Sequence, residues 1–179
     1  MISKKDLLKW YDEKYCLKAV KQNGLVLQFI QNQTEKICLE AVKQDGLALQ
    51  YVKNQTEEIC LQAVKQNGLA LQYVHNQTEK ICLEAVKQDG WALQYVYNLS
   101  EEICLKAVKR DDLLLRFVNN RTKKICLEAV KQNGLALQYV KNQTEEMCLE
   151  ALNQNIEMIK YIDIKRFPKI YKKYLFMVK

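Results

Sequence analysis

One histidine, one proline and five glycines are few for a chain of 179 residues. The lone histidine, His75, cannot supply the clustered imidazoles of a zinc site, and no triad forms around it. The five glycines stand singly, so none builds a glycine-rich phosphate loop. No apolar run approaches the roughly 20 residues of a membrane span. The N-terminal stretch MISKKDLLKWYDEKY lacks an apolar core followed by a small-residue cleavage site, so it reads as no secretory signal. An intracellular protein with reduced thiols is expected. Paired buried carboxylates are also missing, and with them the usual signs of acid–base catalysis.

What the chain has is a ruler. Its seven cysteines, Cys16, Cys38, Cys60, Cys82, Cys104, Cys126 and Cys148, are always 22 residues apart. Thr34, Thr56, Thr78, Ser100, Thr122 and Thr144 recur on the same period, with Asp12 one period earlier. All seven are good helix N-caps. Gly24, Gly46, Gly68, Gly90 and Gly134 follow twelve residues after their caps, where a left-handed helix stop is expected. Asp112 takes that place in the fifth repeat.

Each period therefore predicts a first helix, such as Glu35 to Gln44, a tight turn, and a second short helix over LALQYVKN from Leu47 to Asn54. At about 100° per residue, Ile37, Cys38, Leu39, Ala41 and Val42 share one arc centred on Cys38. Leu47, Ala48, Leu49, Tyr51 and Val52 do the same around Ala48. Helices this short are marginal alone and must stack. On the wet arc, Lys36 and Glu40, Lys80 and Glu84, Glu102 and Lys106, and Lys124 and Glu128 stand four apart, as stabilising pairs do. The predicted fold is all-α, an α-solenoid of about seven 22-residue helix-turn-helix repeats. It is read as one domain over 1–179, with an N-terminal cap over 1–11, repeats over 12–162 and a basic C-terminal cap helix over 163–179.

The same layout decides what the cysteines are for. They never form C-x-x-C, and stacked helices about 8–10 Å apart cannot bring neighbouring sulfurs onto one zinc ion. That spacing also exceeds disulfide reach. A cysteine at the centre of an apolar arc is a small core residue, so all seven are assigned to the structural core, with no metal, cofactor or catalytic role. Asn32, Asn54, Asn76, Asn98, Asn120 and Asn142 each precede Thr or Ser by two residues, as in a glycosylation sequon. Turn and cap chemistry accounts for that pattern.

Of the net charge of +7, residues 153–179 supply seven bases against two acids, so the body is nearly neutral. That argues against a basic stripe for nucleic acid along the repeats. Two positions vary among repeats. One holds Gln31, Lys53, His75, Tyr97, Asn119 and Lys141; the other holds Gln33, Gln55, Gln77, Leu99, Arg121 and Gln143. The sharpest departure lies over 91–124, where Trp91, Tyr97 and Leu99 precede Arg110, Arg116, Arg121, Lys123 and Lys124. Aromatic and arginine side chains together suit a protein interface, and these eight residues form the candidate partner-binding patch. Single-stranded nucleic acid and self-association of the stack ends are the alternatives.

The wording EKICLEAVKQDGLALQYVKNQT, residues 35–56, closely resembles the short repeats of the domain-of-unknown-function family 4116, found in giant DNA viruses of amoebae of the Mimivirus type and in some bacteria. The resemblance covers roughly Asp12 to Tyr161. It implies a viral protein acting in the host cytoplasm or carried in the particle. It brings no catalytic or binding residues, and the oligomeric state stays open.

Overall fold

The computed structural model describes residues 9–175; residues 1–8 and 176–179, with the outer parts of both expected caps, lie outside the described residues. The described chain is an all-α fold of solenoid repeats. Seven ten-residue α-helices keep the period: α1 (Glu13–Gln22), α2 (Glu35–Gln44), α3 (Glu57–Gln66), α4 (Glu79–Gln88), α5 (Glu101–Arg110), α6 (Lys123–Gln132) and α7 (Glu145–Gln154). A final helix, α8 (Pro168–Leu175), begins at the single proline, a favoured first position because that N–H has no helical partner. The chain forms two compact units, Met1–Asn98 and Leu99–Lys179. Within each, successive α-helices stack side by side and the shorter segments stack alongside them. No helix among the described residues is long and apolar enough to cross a membrane.

Each α-helix starts where the sequence places its cap. Thr56 Oγ1 accepts from the Ile59 N–H at 3.3 Å, and Asp12 Oδ1 accepts from Tyr15 at 2.9 Å. One face is then buried: Ile59, Cys60, Ala63 and Val64 in α3, with the same four places filled in its neighbours. Leu39 and Leu61 are only half-buried, so the apolar arc is narrower than the wheel suggests.

The second element is not an α-helix. Gly46–Tyr51 is a six-residue 3₁₀ segment, and Val52 beyond it is extended. The burial pattern gives the reason. Gly46, Leu49 and Val52 are buried, three residues apart, as a three-residue turn requires. Ala48 is buried with them. An Asx turn opens the segment: Asp45 Oδ1 accepts from the Leu47 N–H at 2.9 Å. Asn23, Asn67, Asp89, Asp111, Asn133 and Asn155 repeat it.

The glycines are also explained differently. Among the described residues none, glycine or otherwise, has a positive φ, so there is no left-handed stop and Asp112 needs no tolerance for one. The helix ends on an extended residue instead, Asp45 at φ −145° and ψ 111°. Glycine follows because the next repeat lies against it. A Cβ on Gly68 would sit 2.6 Å from the Ala85 carbonyl oxygen, and one on Gly46 would collide with the Ala63 carbonyl. The expected i,i+4 charge pairs are replaced too. Glu40 meets Lys43 at 3.5 Å and Lys21 of the preceding repeat at 3.9 Å. Glu57 meets Lys80 of the following repeat at 3.4 Å, and Glu101 meets Lys124 at 3.7 Å. Such exposed pairs contribute at most about 1 kcal/mol each.

At the N-terminal end, Trp10 packs edge-on to Tyr15, with ring centroids 5.3 Å apart, and tilts against Phe29 at 5.9 Å. At the other end the repeat geometry outlasts the repeat wording. Ile156 replaces glycine, yet Ile156–Tyr161 is still a 3₁₀ segment opened by Asn155.

Candidate functional site

The linkers between repeats carry the polar chemistry of this fold. After each 3₁₀ segment the chain runs extended for a few residues before the next cap, leaving main-chain groups without helical partners. At four of these linkers a glutamine from the repeat before satisfies them. Gln33 Nε2 donates to the Tyr51 carbonyl at 2.9 Å, while Gln33 Oε1 accepts from the Lys53 N–H at 3.0 Å. Gln55 does the same for Tyr73 and His75, at 2.8 and 3.1 Å. Gln77 serves Tyr95 and Tyr97, and Gln143 serves Tyr161 and Asp163. A carboxamide is required because one group must both donate and accept.

A second glutamine works in the opposite direction along the stack. Gln44, at the end of α2, accepts from the Gly24 N–H of the previous repeat at 2.6 Å. Gln66, Gln88 and Gln154 hold Gly46, Gly68 and Gly134 in the same way. Sequence reasoning placed Gln44 at the end of a helix and treated the Gln33 position as merely variable. The available signal was the recurrence of glutamine at both places; the partners, 18 to 20 residues away, were not legible.

The cysteines lie beneath these clamps. All seven are free and buried. Cys60 and Cys82 each donate to the clamp glutamine's Oε1 at 3.6 Å, and Cys148 does so at 3.7 Å. Cys16 donates to the Trp10 carbonyl at 3.3 Å. Burial, with a smaller contribution from the first-turn glutamates, pushes the Cys38 and Cys60 thiols up to about 11. Burial also lifts Cys148 to about 11 and raises Cys104 and Cys126, the latter opposed by the Arg121 charge. Thiols held this far from ionisation are poor nucleophiles at neutral pH. Among the described residues no group of three or more His, Cys, Asp and Glu side chains could hold a metal ion.

The eight candidate patch residues divide between the two units. Trp91 and Tyr97 belong to the first, and Tyr97, 68% exposed, is the most open large apolar side chain among its described residues. Leu99, Arg110, Arg116, Arg121, Lys123 and Lys124 belong to the second. There Leu99 is half-buried, while Arg110, Arg116, Lys123 and Lys124 are exposed. The Arg116 guanidinium sits 5.3 Å from the centre of the Phe117 ring, and Lys124 faces Glu101. Arg121 has a structural task. It stands at the clamp position and donates to the carbonyls of Leu115, Val118, Tyr139 and Arg116.

What recurs on the open side of the linkers is a hollow. In the first unit one of about 390 Å³ lies between successive linkers, bordered by Lys53, Asn54, Gln55, His75 and Asn76. In the second a hollow of about 500 Å³ is bordered by Asn119, Asn120, Arg121, Lys141 and Asn142. Each exposes the variable position of two neighbouring repeats.

No curated protein and no solved structure matches the chain. One family model, Domain of unknown function (DUF4116), matches six times in overlapping steps, over residues 12–56, 34–78, 56–99, 78–123, 100–144 and 122–168. Every match starts at a helix cap and covers two repeats, the smallest piece that contains one complete junction. With residues 12 to 168 matched in this way, the chain belongs to the DUF4116 family.

Proposed function

We propose that this protein is a non-enzymatic repeat scaffold that binds another protein along its linker edge. One observation carries the reading. Two residues beyond three 3₁₀ segments of the first unit the backbone N–H is pinned by a glutamine, while the side chain is exposed and differs from repeat to repeat: Lys53, His75 and Tyr97. A fixed main chain bearing a changing, solvent-facing tip is the arrangement recognition needs, because substitution there leaves the frame intact. The likeness of the repeats to those of giant DNA viruses supports a setting in an infected host cell or in the virus particle.

The test replaces Lys53, His75 and Tyr97 together with serine. Affinity capture from infected cells, followed by reconstitution with the purified partner, is expected to show at least tenfold weaker binding at an unchanged circular dichroism spectrum. A partner that binds the triple variant as tightly as the parent chain sinks the reading. The competing occupant is single-stranded nucleic acid, favoured by the exposed Arg110, Arg116, Lys123 and Lys124 of the second unit. Binding to a dT16 oligonucleotide that weakens steeply with salt would favour it.

A further inference from the structure

Asn32, Asn54, Asn76 and Asn98 stand on the linker edge of the first unit, and Asn120 and Asn142 on that of the second; all six are exposed. The flanking tip position changes in almost every repeat, while this one does not change at all. The usual structural reasons for a fixed asparagine are missing. None of the six lies in the left-handed region. The Asx turns of this fold belong to other residues, those just before the glycines. Among the described residues, nothing donates to or accepts from the carboxamides of these six asparagines. An invariant, exposed and internally unengaged amide, placed at the rim of a recurring hollow, is a group facing outward to a ligand.

We infer that the linker edge of each unit is a track for an extended, acidic peptide, held through its main chain by that unit's asparagines. The inference rests on the scaffold reading and names its partner. A carboxamide offers one donor face and one acceptor, the complement of a peptide N–H and C=O, whereas a phosphate backbone offers only acceptors. The spacing agrees. Stacked helices lie about 8–10 Å apart. A polyproline-II peptide rises about 3.1 Å per residue with three residues per turn, so an equivalent, unpaired peptide group returns every 9 Å or so. Charge selects the side chains. Lys53 borders the first hollow, where the only carboxylate, Glu57, is countered by Lys80 at 3.4 Å. Arg121 and Lys141 border the second, which has no carboxylate. The asparagines then supply sequence-independent grip, and the variable tips supply choice.

The experiment selects a phage-displayed library of random 16-residue peptides on the intact chain and synthesises the enriched sequences. Those peptides are expected to carry net negative charge. They are expected to bind the Asn54→Ala/Asn76→Ala/Asn142→Ala variant at least about tenfold more weakly, as loss of several amide hydrogen bonds implies. N-methylation of their backbone nitrogens should abolish binding. Enrichment no greater than on a blank surface, equal binding to the variant, or indifference to N-methylation each overturns the inference. So does displacement of every selected peptide by dT16 at equal concentration. Should the alanine variant lose its helical signal, the Asn→Asp substitutions at the same places keep the shape, repel an acidic peptide and read the same loss. A partner lost by the Lys53/His75/Tyr97 variant but kept by the asparagine variant removes the main-chain track and leaves the scaffold reading standing.

Discussion

Repeat 2, over residues 34–55, and repeat 5, over 100–121, each begin with a hydroxyl cap and a ten-residue α-helix. They part at two places. Repeat 2 has Gly46, whose N–H reaches Gln66 of the next repeat, and Gln55, which both donates and accepts. Repeat 5 has Asp112 and Arg121. Asp112 accepts from Asn133 Nδ2 at 3.3 Å through one oxygen, while its other oxygen is buried without a partner. Gln132 stands at the clamp position of the repeat that follows and donates to Glu128 of its own helix. Arg121 supplies donors to four carbonyls but has nothing to offer the Lys141 N–H. The difference separates shape from chemistry. Any residue that satisfies the Asx turn and the three-residue burial pattern keeps the 3₁₀ segment, but only glycine and a carboxamide complete the junction.

The largest way to break the comparison is to charge the core that both repeats share. Cys60→Arg should cost more than about 4 kcal/mol, enough to unfold the first unit, because an unpaired cation would replace a buried thiol. Cys60→Ala should cost only about 1 kcal/mol, since Ala70 already occupies an equally buried place in the 3₁₀ layer. Equal effects in urea denaturation would show that cysteine is more than a small apolar residue here.

Exchanging the distinguishing residues should come next. Gly68→Ala should destabilise by about 1–3 kcal/mol, as its Cβ meets the Ala85 carbonyl. Asp112→Gly should move the other way, by about 1 kcal/mol, by removing the unpartnered oxygen. Thermal unfolding that shifts both variants in one direction would undo the account of the glycines. The clamps follow, at about 1–2 kcal/mol: Gln55→Ala leaves the Tyr73 carbonyl and the His75 N–H unsatisfied, while Arg121→Gln should be neutral or stabilising.

A pH series sharpens the part common to every repeat. The Cys38, Cys60 and Cys148 thiols are raised from 9.0 to about 11, so the folded chain holds these protons more tightly than the unfolded chain. Their contribution is complete below pH 9 and is lost as the pH climbs through 11. Native alkylation by iodoacetamide at pH 8 should be slow and governed by unfolding. Rapid labelling of all seven thiols would contradict the burial. The smallest effect belongs to the surface: Lys80→Ala, which removes the 3.4 Å contact with Glu57, should cost under about 1 kcal/mol and vanish in high salt.

The period, the caps and the buried cysteines were legible because each is decided within one helix: Thr56, Ile59 and Cys60 lie within five residues. The α-helical reading of Leu47 to Asn54 failed because LALQYVKN matches ICLEAVKQ in character, and six residues hold too few turns for a wheel to distinguish 3.6 from 3. The glycines were found, but for the wrong reason, since a close approach by the next repeat leaves no mark at the glycine itself. Asn54 was assigned to turn chemistry because Asn commonly makes turns; only the structure gives that task to Asn67 and Asp45 instead.

The reach of the clamps has a consequence for how such a chain can change length. Gln33 and Gln55 each hold a residue 18 to 20 positions ahead, and Gln44 and Gln66 hold one 20 positions behind. Contact order is therefore set by one period, whatever the number of repeats, and folding can begin at any junction and spread. Duplicating or deleting 22 residues in register regenerates the same junction. A gene encoding such a protein can lengthen or shorten by whole repeats and still specify a foldable product.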